Sequence, residues 1–207
     1  MGATTMPASP AGRPGERSSA ASTGVWIAVA TISMSFAAYT SALVVRQGAS
    51  GDWLHFHLPS ILYANTLLIL ASSATLEAAR RNHRRGAGDP SGGVLPLPGP
   101  VSRTATWIDV TLALGILFLA GQLVAWRQLA GEGLFLATNP SSAFFYILTA
   151  LHGLHLLGGF AGLLYVRRRL RRGPALAAGP ALGAATLYWH FMAVLWLYLL
   201  VLLVVRL

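Results

Sequence analysis

The stretch GVWIAVATISMSFAAYTSALVV, residues 24–45, decides the fold, because it is mostly apolar and reaches Arg46 without a charged residue. A helix that crosses the hydrocarbon core of a membrane needs about 20 consecutive apolar residues. Four further stretches of this kind follow, at about residues 58–76, 106–126, 141–166 and 181–205. None of them alternates apolar and polar residues as barrel strands do. The sequence therefore predicts an all-α bundle of five transmembrane helices.

The composition agrees with a protein that lies in a membrane. Of the 207 residues, 55% are hydrophobic and only 10% are charged, and the mean hydropathy is +0.59. Because soluble domains have about 25% charged residues, a water-soluble enzyme is excluded. The chain has no cysteine, which excludes disulfides, thiolate metal sites and cysteine nucleophiles.

Two segments are predicted to lie outside the helices. Residues 1–23 are rich in Ala, Ser, Gly and Pro and contain no apolar run, which is typical of a disordered tail. Residues 86–102, GAGDPSGGVLPLPGPVS, predict a flexible linker between two groups of helices. The membrane domain then comprises residues 24–207.

The positions of the arginines predict the orientation, since all 15 basic residues are Arg. Five spans place twelve of them on one side of the membrane, namely Arg13, Arg17, Arg80, Arg81, Arg84, Arg85, Arg103, Arg167, Arg168, Arg169, Arg171 and Arg172. The other side has only Arg46, Arg127 and Arg206. Because cytoplasmic loops are enriched in basic residues, we expect the amino terminus in the cytoplasm and the carboxyl terminus outside.

The same asymmetry explains the net charge of +9 without a nucleic-acid partner. Basic clusters next to membrane spans bind anionic lipid headgroups. The arginines assigned to such contacts are Arg80, Arg81, Arg84, Arg85, Arg167, Arg168 and Arg169.

Three histidines lie within the predicted spans, where ionisable side chains are rare and costly. His152 and His155 are three residues apart and share a face of the fourth span, and His190 lies in the fifth. They could bond to neighbouring helices, or His190 with His155 or His152 could ligate a haem iron. Because no carboxylate supports the His152–His155 pair, interhelical hydrogen bonds are the favoured hypothesis.

Two acids lie near the predicted cytoplasmic ends of spans. Glu77 has Arg80 and Arg81 at i+3 and i+4, the favourable order for an ion pair on a helix. Glu77 is therefore either an interfacial ion-pairing residue or an acid that collects protons at the membrane surface, and both interpretations stay open. Asp109 is interpreted as an interfacial ion-pairing residue.

Small residues predict where helices approach closely. The fourth span has a smooth side that includes the Gly158-xxx-Gly162 pair. The other glycines of this kind are Gly153 and Gly159 in the fourth span and, more weakly, Gly115 and Gly121 in the third. A stripe of Trp189, Ala193 and Trp196 on the fifth span is interpreted as packing rather than as a cofactor site.

Four stretches resemble, in order along the chain, the motifs of one known family. They are LPSILYANTLLILASSATLEAARR (58–81), LFLAGQLVAW (117–126), ATNPSSAFFYILTALHGLHLLGG (137–159) and YWHFMAVLWLYLL (188–200). They are similar to motifs of subunit III of the haem–copper oxygen reductases. The five predicted helices resemble the shorter bacterial form of that family.

The resemblance implies an accessory subunit of a proton-pumping terminal oxidase, which reduces O2 in the respiratory chain of a bacterial cytoplasmic membrane. Such a subunit has no redox centre, because haem and copper belong to its partner, subunit I. It packs against subunit I, holds phospholipid in a cleft and supports proton uptake, and subunit II is a further expected partner. An accessory subunit of a nitric-oxide reductase is an alternative within the family, and a membrane cytochrome b is an alternative outside it.

The resemblance also implies which residues carry the family motifs. These are Asn65, Asn139, Pro140, His152, Gly153, His155, Trp189 and His190, with Glu77 as the candidate acid and Thr138 in the turn before the fourth span. The chain departs from the family where acids are usual. Ala125 precedes Trp126, Ala193 lies in the last motif, and the first span has no acid, which argues against proton buffering through those positions.

Overall fold

The computed structural model of the protein consists of five α-helices. It describes residues 14–49, 51, 53, 55–87, 100–172 and 178–207, with the side chains of 14–21, 86–87 and 100–102 excepted. The helices are α1 (Pro14–Ala49), α2 (Ile61–Ala87), α3 (Pro100–Gly131), α4 (Pro140–Arg172) and α5 (Gly179–Arg206). All five are long and apolar enough to cross a membrane, and these ranges contain no strand. The predicted all-α class and the five predicted spans are confirmed.

The helices extend beyond the predicted spans, because helix formation does not depend on an apolar environment. α2 and α4 continue through their arginine clusters, since Arg is a good helix former and a cation in the last turn interacts favourably with the helix dipole. α1 begins at Pro14, so that residues 14–23, predicted to be disordered, are helical. Residues 1–13 of the predicted tail and 88–99 of the predicted linker lie outside the described residues.

The start of α2 differs from the prediction by three residues. The second span is predicted from Leu58 with Pro59 in its first turn, whereas α2 begins at Ile61. The Leu62 N–H donates to the Pro59 carbonyl at 3.1 Å, which forms a turn ahead of the helix. A proline disfavours helical backbone at the residue before it, so that Leu58 cannot belong to α2.

α5 is the central helix of the bundle and α1 is the most peripheral. In α5, 50% of the apolar membrane-spanning stretch is buried inside the bundle, compared with 17% of the corresponding stretch of α1. α5 packs against α1, α2 and α4, α2 packs along α3, and α3 also contacts α4. The largest fully buried side chains are Trp189, Trp196, Phe36, Phe118 and Phe145.

Residues between α1 and α2 close the end of α5. The Trp53 indole N–H donates to the Arg206 carbonyl at 3.0 Å, and the Phe56 N–H donates to the Leu207 carbonyl at 2.9 Å. His55 Nδ1 lies 3.2 Å from that same Leu207 oxygen. The last carbonyls of a helix have no partner within it, so these contacts satisfy them and fix the connection against α5.

Candidate functional site

The motif turn before α4 sets the start of that helix. The Asn139 carboxamide oxygen accepts the Ser142 N–H at 2.8 Å, and Pro140 is the first helical residue. This is an N-cap followed by proline at a position where its missing N–H has no cost. Thr138 closes the turn by accepting the Phe135 N–H at 2.9 Å. These side chains therefore build the helix terminus.

Trp189 packs tightly against two glycines of neighbouring helices. It is fully buried, and its indole N–H donates to Ser72 Oγ on α2 at 3.0 Å. A Cβ added at Gly159 would lie 3.0 Å from Trp189 Cε3, and one added at Gly115 would lie 3.0 Å from its Cη2. The indole thus fits between α3 and α4 because both positions have no side chain.

The predicted close approach at Gly158 and Gly162 is wrong. A Cβ at Gly158 would reach only the Tyr188 hydroxyl at 3.4 Å, and one at Gly162 would meet no atom within 4 Å. Gly159 makes the close contact instead. The large partner ring, and not the spacing of the glycines, determines which face of α4 comes nearest to α5.

Gly158 and Gly162 line a groove of about 460 Å³ between α1, α4 and α5, here called the small-residue groove. Its walls are almost entirely apolar, and Tyr165 and Tyr188 are its largest residues. The full lining is Gly24, Val25, Ala28, Gly158, Gly159, Gly162, Tyr165, Ala181, Ala184, Ala185 and Tyr188. Arg169 donates to the Tyr165 hydroxyl at 3.0 Å, which places a cation next to the groove.

Asn65 connects α2 to α3. It is buried and lies so close to Gly121 that a Cβ there would be 2.9 Å from the Asn65 carboxamide carbon. The next residue, Thr66, accepts the Trp196 indole N–H at 3.0 Å. The motif pair Asn65–Thr66 therefore contacts α3 and α5 at the same level of the bundle.

His152 and His155 have different surroundings. His152 is fully buried, and its ring centre lies 5.9 Å from that of Phe118 and 5.3 Å from that of Trp196. Neither ring nitrogen of His152 has a hydrogen-bond partner in the described part of the chain. His155 Nδ1 lies 2.7 Å from the Leu151 carbonyl of its own helix. Neither ring therefore makes the predicted interhelical bond among the described residues, because no polar atom lies within hydrogen-bond distance of the His152 ring and α4 itself supplies the acceptor for His155.

His190 makes the interhelical contact that the sequence predicts. Its Nδ1 pairs with Ser73 Oγ on α2, and its Nε2 lies 3.8 Å from a Glu77 carboxylate oxygen. Tyr188, two residues earlier, donates instead to the His155 carbonyl on α4 at 2.9 Å. Two residues turn a helix by about 200°, so that His190 faces α2 and points away from His155.

This arrangement does not favour a haem-binding histidine pair. An axial pair needs two imidazoles directed at one iron from opposite sides, whereas the rings of His152 and His190 contact different helices. Within the described ranges, no three His, Asp or Glu side chains form a group that could hold a metal ion. The interpretation as a cytochrome b is therefore not supported.

Glu77 makes the ion pairs that its spacing predicts. Its two carboxylate oxygens accept from Arg80 Nε at 2.8 Å and Arg80 Nη2 at 2.9 Å. Arg81 Nε adds a third bond at 3.1 Å. Such a bidentate pair fixes the orientation of a carboxylate, and Glu77 therefore stands anchored on its own helix beside His190.

Asp109 pairs with Arg167 and connects α3 to α4. Arg167 Nη2 donates to Asp109 Oδ2 at 3.0 Å, and Arg167 Nε pairs with the other oxygen. The predicted ion-pairing role of Asp109 is thus confirmed, with a partner on another helix. Arginines of the two basic clusters that have no acidic partner among the described side chains are Arg84, Arg85, Arg168, Arg169, Arg171 and Arg172.

The hydroxyl groups that accept the indole N–H bonds are not among the residues predicted from the sequence. The pairs, each 3.0 Å long, are Trp126–Thr149, Trp189–Ser72 and Trp196–Thr66. A buried indole N–H needs an acceptor, and in a membrane water cannot supply it. Serines and threonines within the spans were therefore an available signal, although their partners depend on how the helices pack.

Comparison with known proteins identifies the family. The family described as cytochrome c oxidase subunit III matches residues 97–205, which is more than half of the chain. Cytochrome c oxidase subunit 3 of Synechocystis is 40% identical over 98 residues, which cover 46% of this chain and 41% of that protein. The subunit 3 of Thermostichus vulcanus is 29% identical over 188 residues, 87% of this chain and 84% of that protein.

A third relative belongs to an oxidase with a different name. Cytochrome bo(3) ubiquinol oxidase subunit 3 of Pseudomonas aeruginosa is 26% identical over 180 residues, 84% of this chain and 79% of that protein. The matched range 97–205 includes the turn at Asn139, the histidines of α4 and the tryptophans of α5, whose contacts build the interior. The chain belongs to the cytochrome c oxidase subunit III family.

Proposed function

We propose that this chain, an accessory subunit of a haem–copper oxidase, packs against the catalytic subunit I and keeps that complex assembled during turnover. The observation that carries the proposal is the family match over residues 97–205. The geometry agrees, because the motif residues make helix contacts and helix caps rather than surround a substrate. Haem and copper then belong to subunit I, and subunit II is a further neighbour.

The arginine-rich end of the bundle, formed by the ends of α2 and α4 and the start of α3, faces the cytoplasm in this proposal. The twelve arginines assigned to that side, against three on the other, support it through the enrichment of basic residues in cytoplasmic loops. The bacterial relatives support a location in the bacterial cytoplasmic membrane.

The small-residue groove is the proposed site of a bound phospholipid. Its apolar lining suits an acyl chain, and Arg169 beside Tyr165 can contact the phosphate of a lipid headgroup. Arg84, Arg85 and Arg168, which have no acidic partner among the described side chains, are proposed to contact lipid headgroups in the same leaflet. Arg80 and Arg81 pair with Glu77, and Arg167 pairs with Asp109. These three arginines are therefore expected to attract lipid phosphates less strongly.

The chain is proposed to support proton uptake by packing against subunit I and not by transferring protons through Glu77. Both Glu77 oxygens accept bonds from arginines, which stabilise the carboxylate and oppose its protonation. The absence of acids at Ala125 and Ala193 favours the same conclusion.

The test is to purify the tagged chain from its native membrane and to record reduced-minus-oxidised absorption spectra. We expect haem to co-purify in a complex that consumes O2, and we expect no haem signal from the chain expressed alone. A haem signal from the isolated chain that is lost in His155→Phe or His190→Phe would contradict the proposal. A complex that consumes nitric oxide and no O2 would instead assign the chain to a nitric-oxide reductase.

A further inference from the structure

Three buried side chains have polar atoms without a hydrogen-bond partner among the described residues. His152 is fully buried with both ring nitrogens unpartnered, and Gln122, 4% exposed, has both its carboxamide nitrogen and oxygen unpartnered. The carboxamide nitrogen of Asn65, 1% exposed, is in the same state. Leaving such groups unbonded is costly in any protein interior, and most buried polar groups bind either protein or ordered water.

Gln122 lies one helical turn along α3 from Phe118, the residue that packs against His152. Two contacts fix the register of these antiparallel helices, Phe118 against His152 with ring centres 5.9 Å apart and Trp126 bonded to Thr149 at 3.0 Å. Gln122 is four residues from both Phe118 and Trp126 and therefore shares their face of α3. That face presents Gln122 to the segment of α4 between the two contacts.

Asn65 belongs to the same level of the bundle. Its side chain lies against Gly121, the neighbour of Gln122. The adjacent Thr66 bonds to Trp196, whose ring centre is 5.3 Å from that of His152. Buried polar side chains of α2, α3 and α4 thus lie at one level of the bundle.

The residues next to these groups provide neither polar partners nor bulk. Ala125 is buried three residues after Gln122, and Ala193 is buried three residues before Trp196, so that each shares a face with its neighbour. Both side chains end at Cβ.

We propose that Gln122 and His152 bind an internal water molecule that connects α3 to α4 within the membrane-spanning part of the bundle. Water has two donors and two acceptors, which suit a carboxamide and a neutral imidazole equally. Buried waters make about three hydrogen bonds to polar groups that lack protein partners, and the Asn65 carboxamide is the third partner at this level. The water is a structural ligand of this chain, whichever oxidase the chain serves.

A double-mutant cycle on the purified protein tests the energetic link. Gln122→Leu and His152→Phe keep the size of each side chain and remove its polar atoms. We expect each to lower the melting midpoint by about 2–4 °C and the double variant to melt no lower than the less stable single variant, because loss of either partner releases the water. The control is Gln128→Leu, an exposed glutamine on the same helix, which should leave the midpoint unchanged.

Additive effects, or a midpoint raised by either substitution, would overturn the proposal, since they would mean that the two side chains bond to nothing in common. The second measurement keeps the proposal testable if a variant fails to assemble. It is a density map of the wild-type complex at a resolution that shows ordered water. Density within about 3 Å of both Gln122 and His152 supports the water bridge, whereas a direct Gln122–His152 bond or an empty position rejects it.

Discussion

Trp189 shows at the scale of one residue why glycines matter in this bundle. The indole donates to Ser72 and at the same time lies against Gly115 and Gly159, where a Cβ would come within 3.0 Å of its ring atoms. The ring can bond to Ser72 and pack against both neighbouring helices only if the backbones of α3 and α4 lie next to it. The constraint therefore concerns two particular backbone positions and not glycine content in general.

Gly159→Ala is expected to destabilise the protein by about 1–3 kcal/mol, because the added Cβ overpacks the contact with Trp189. Gly162→Ala is the matched control, since a Cβ there meets no atom within 4 Å. Melting midpoints of the two variants in the same detergent check the prediction. Equal midpoints would show that α4 moves away from Trp189 at no cost.

Glu77→Gln is expected to lower stability by only about 0.5 kcal/mol, because partly exposed ion pairs contribute little. Both Arg80 and Arg81 retain an oxygen acceptor in the variant. Turnover of the assembled oxidase over many cycles should stay at the wild-type rate. A progressive loss of turnover in a fully assembled complex would show that Glu77 collects protons.

At the scale of single elements, α4 depends on how it begins and on how it is tied to α3. Its first turn has a carboxamide cap at Asn139, and its last turns carry the Arg167–Asp109 pair. Between them lie the small-residue groove and His152, whose ring nitrogens have no hydrogen-bond partner among the residues that the structure describes. Both ends of α4 are therefore fixed by polar contacts, and its middle combines close packing with the bonds from Trp126 to Thr149 and from Tyr188 to the His155 carbonyl.

Asn139→Ala should cost about 0.5–2 kcal/mol, the usual effect of removing an N-cap. Asn139→Asp should restore most of that loss, because aspartate caps as well as asparagine does. Thermal unfolding of the three proteins in one detergent gives the comparison. An Ala variant as stable as the wild type would mean that Pro140 and the Thr138 turn alone define the start of α4.

The five helices follow from the sequence, but their contacts do not. The spans can be predicted because a helix that crosses a membrane needs a long apolar segment. The ion pairs of Glu77 can be predicted because Glu77, Arg80 and Arg81 lie on one helix. The partner of His190 is Ser73, on α2 and far away in sequence, and no local pattern indicates it. The error at Gly158 and Gly162 has the same origin. The spacing of glycines shows which residues share a face of α4, but only the packing of the helices determines which of them contacts another helix.

The distribution of charge between the two ends of the bundle predicts its orientation in the membrane. The arginine-rich end contains the two basic clusters, and the opposite end carries Arg127 and Arg206 together with the turn between α3 and α4. Among the described residues, the acids Glu77 and Asp109 also lie towards the arginine-rich end and pair with its arginines. Among the described side chains, most arginines of this end nevertheless have no acidic partner.

Single cysteines can map this orientation, because the natural chain has none. Glu132→Cys, in the turn after α3, should react in intact cells with a maleimide that does not cross membranes. Arg85→Cys, at the arginine-rich end, should react only after the cells are broken. The reverse pattern of labelling would place the amino terminus outside.

The central position of α5 has a consequence for biosynthesis. α5 leaves the ribosome after the other four helices, yet it is the most buried of them. Until it arrives, α2 exposes hydroxyls to lipid, and each is already satisfied within α2, where Thr66 donates to Leu62 and Ser72 donates to Ile69. Their oxygen lone pairs remain available for the indoles of α5. The indole bonds that join α5 to α2 can therefore form only after α5 has entered the membrane.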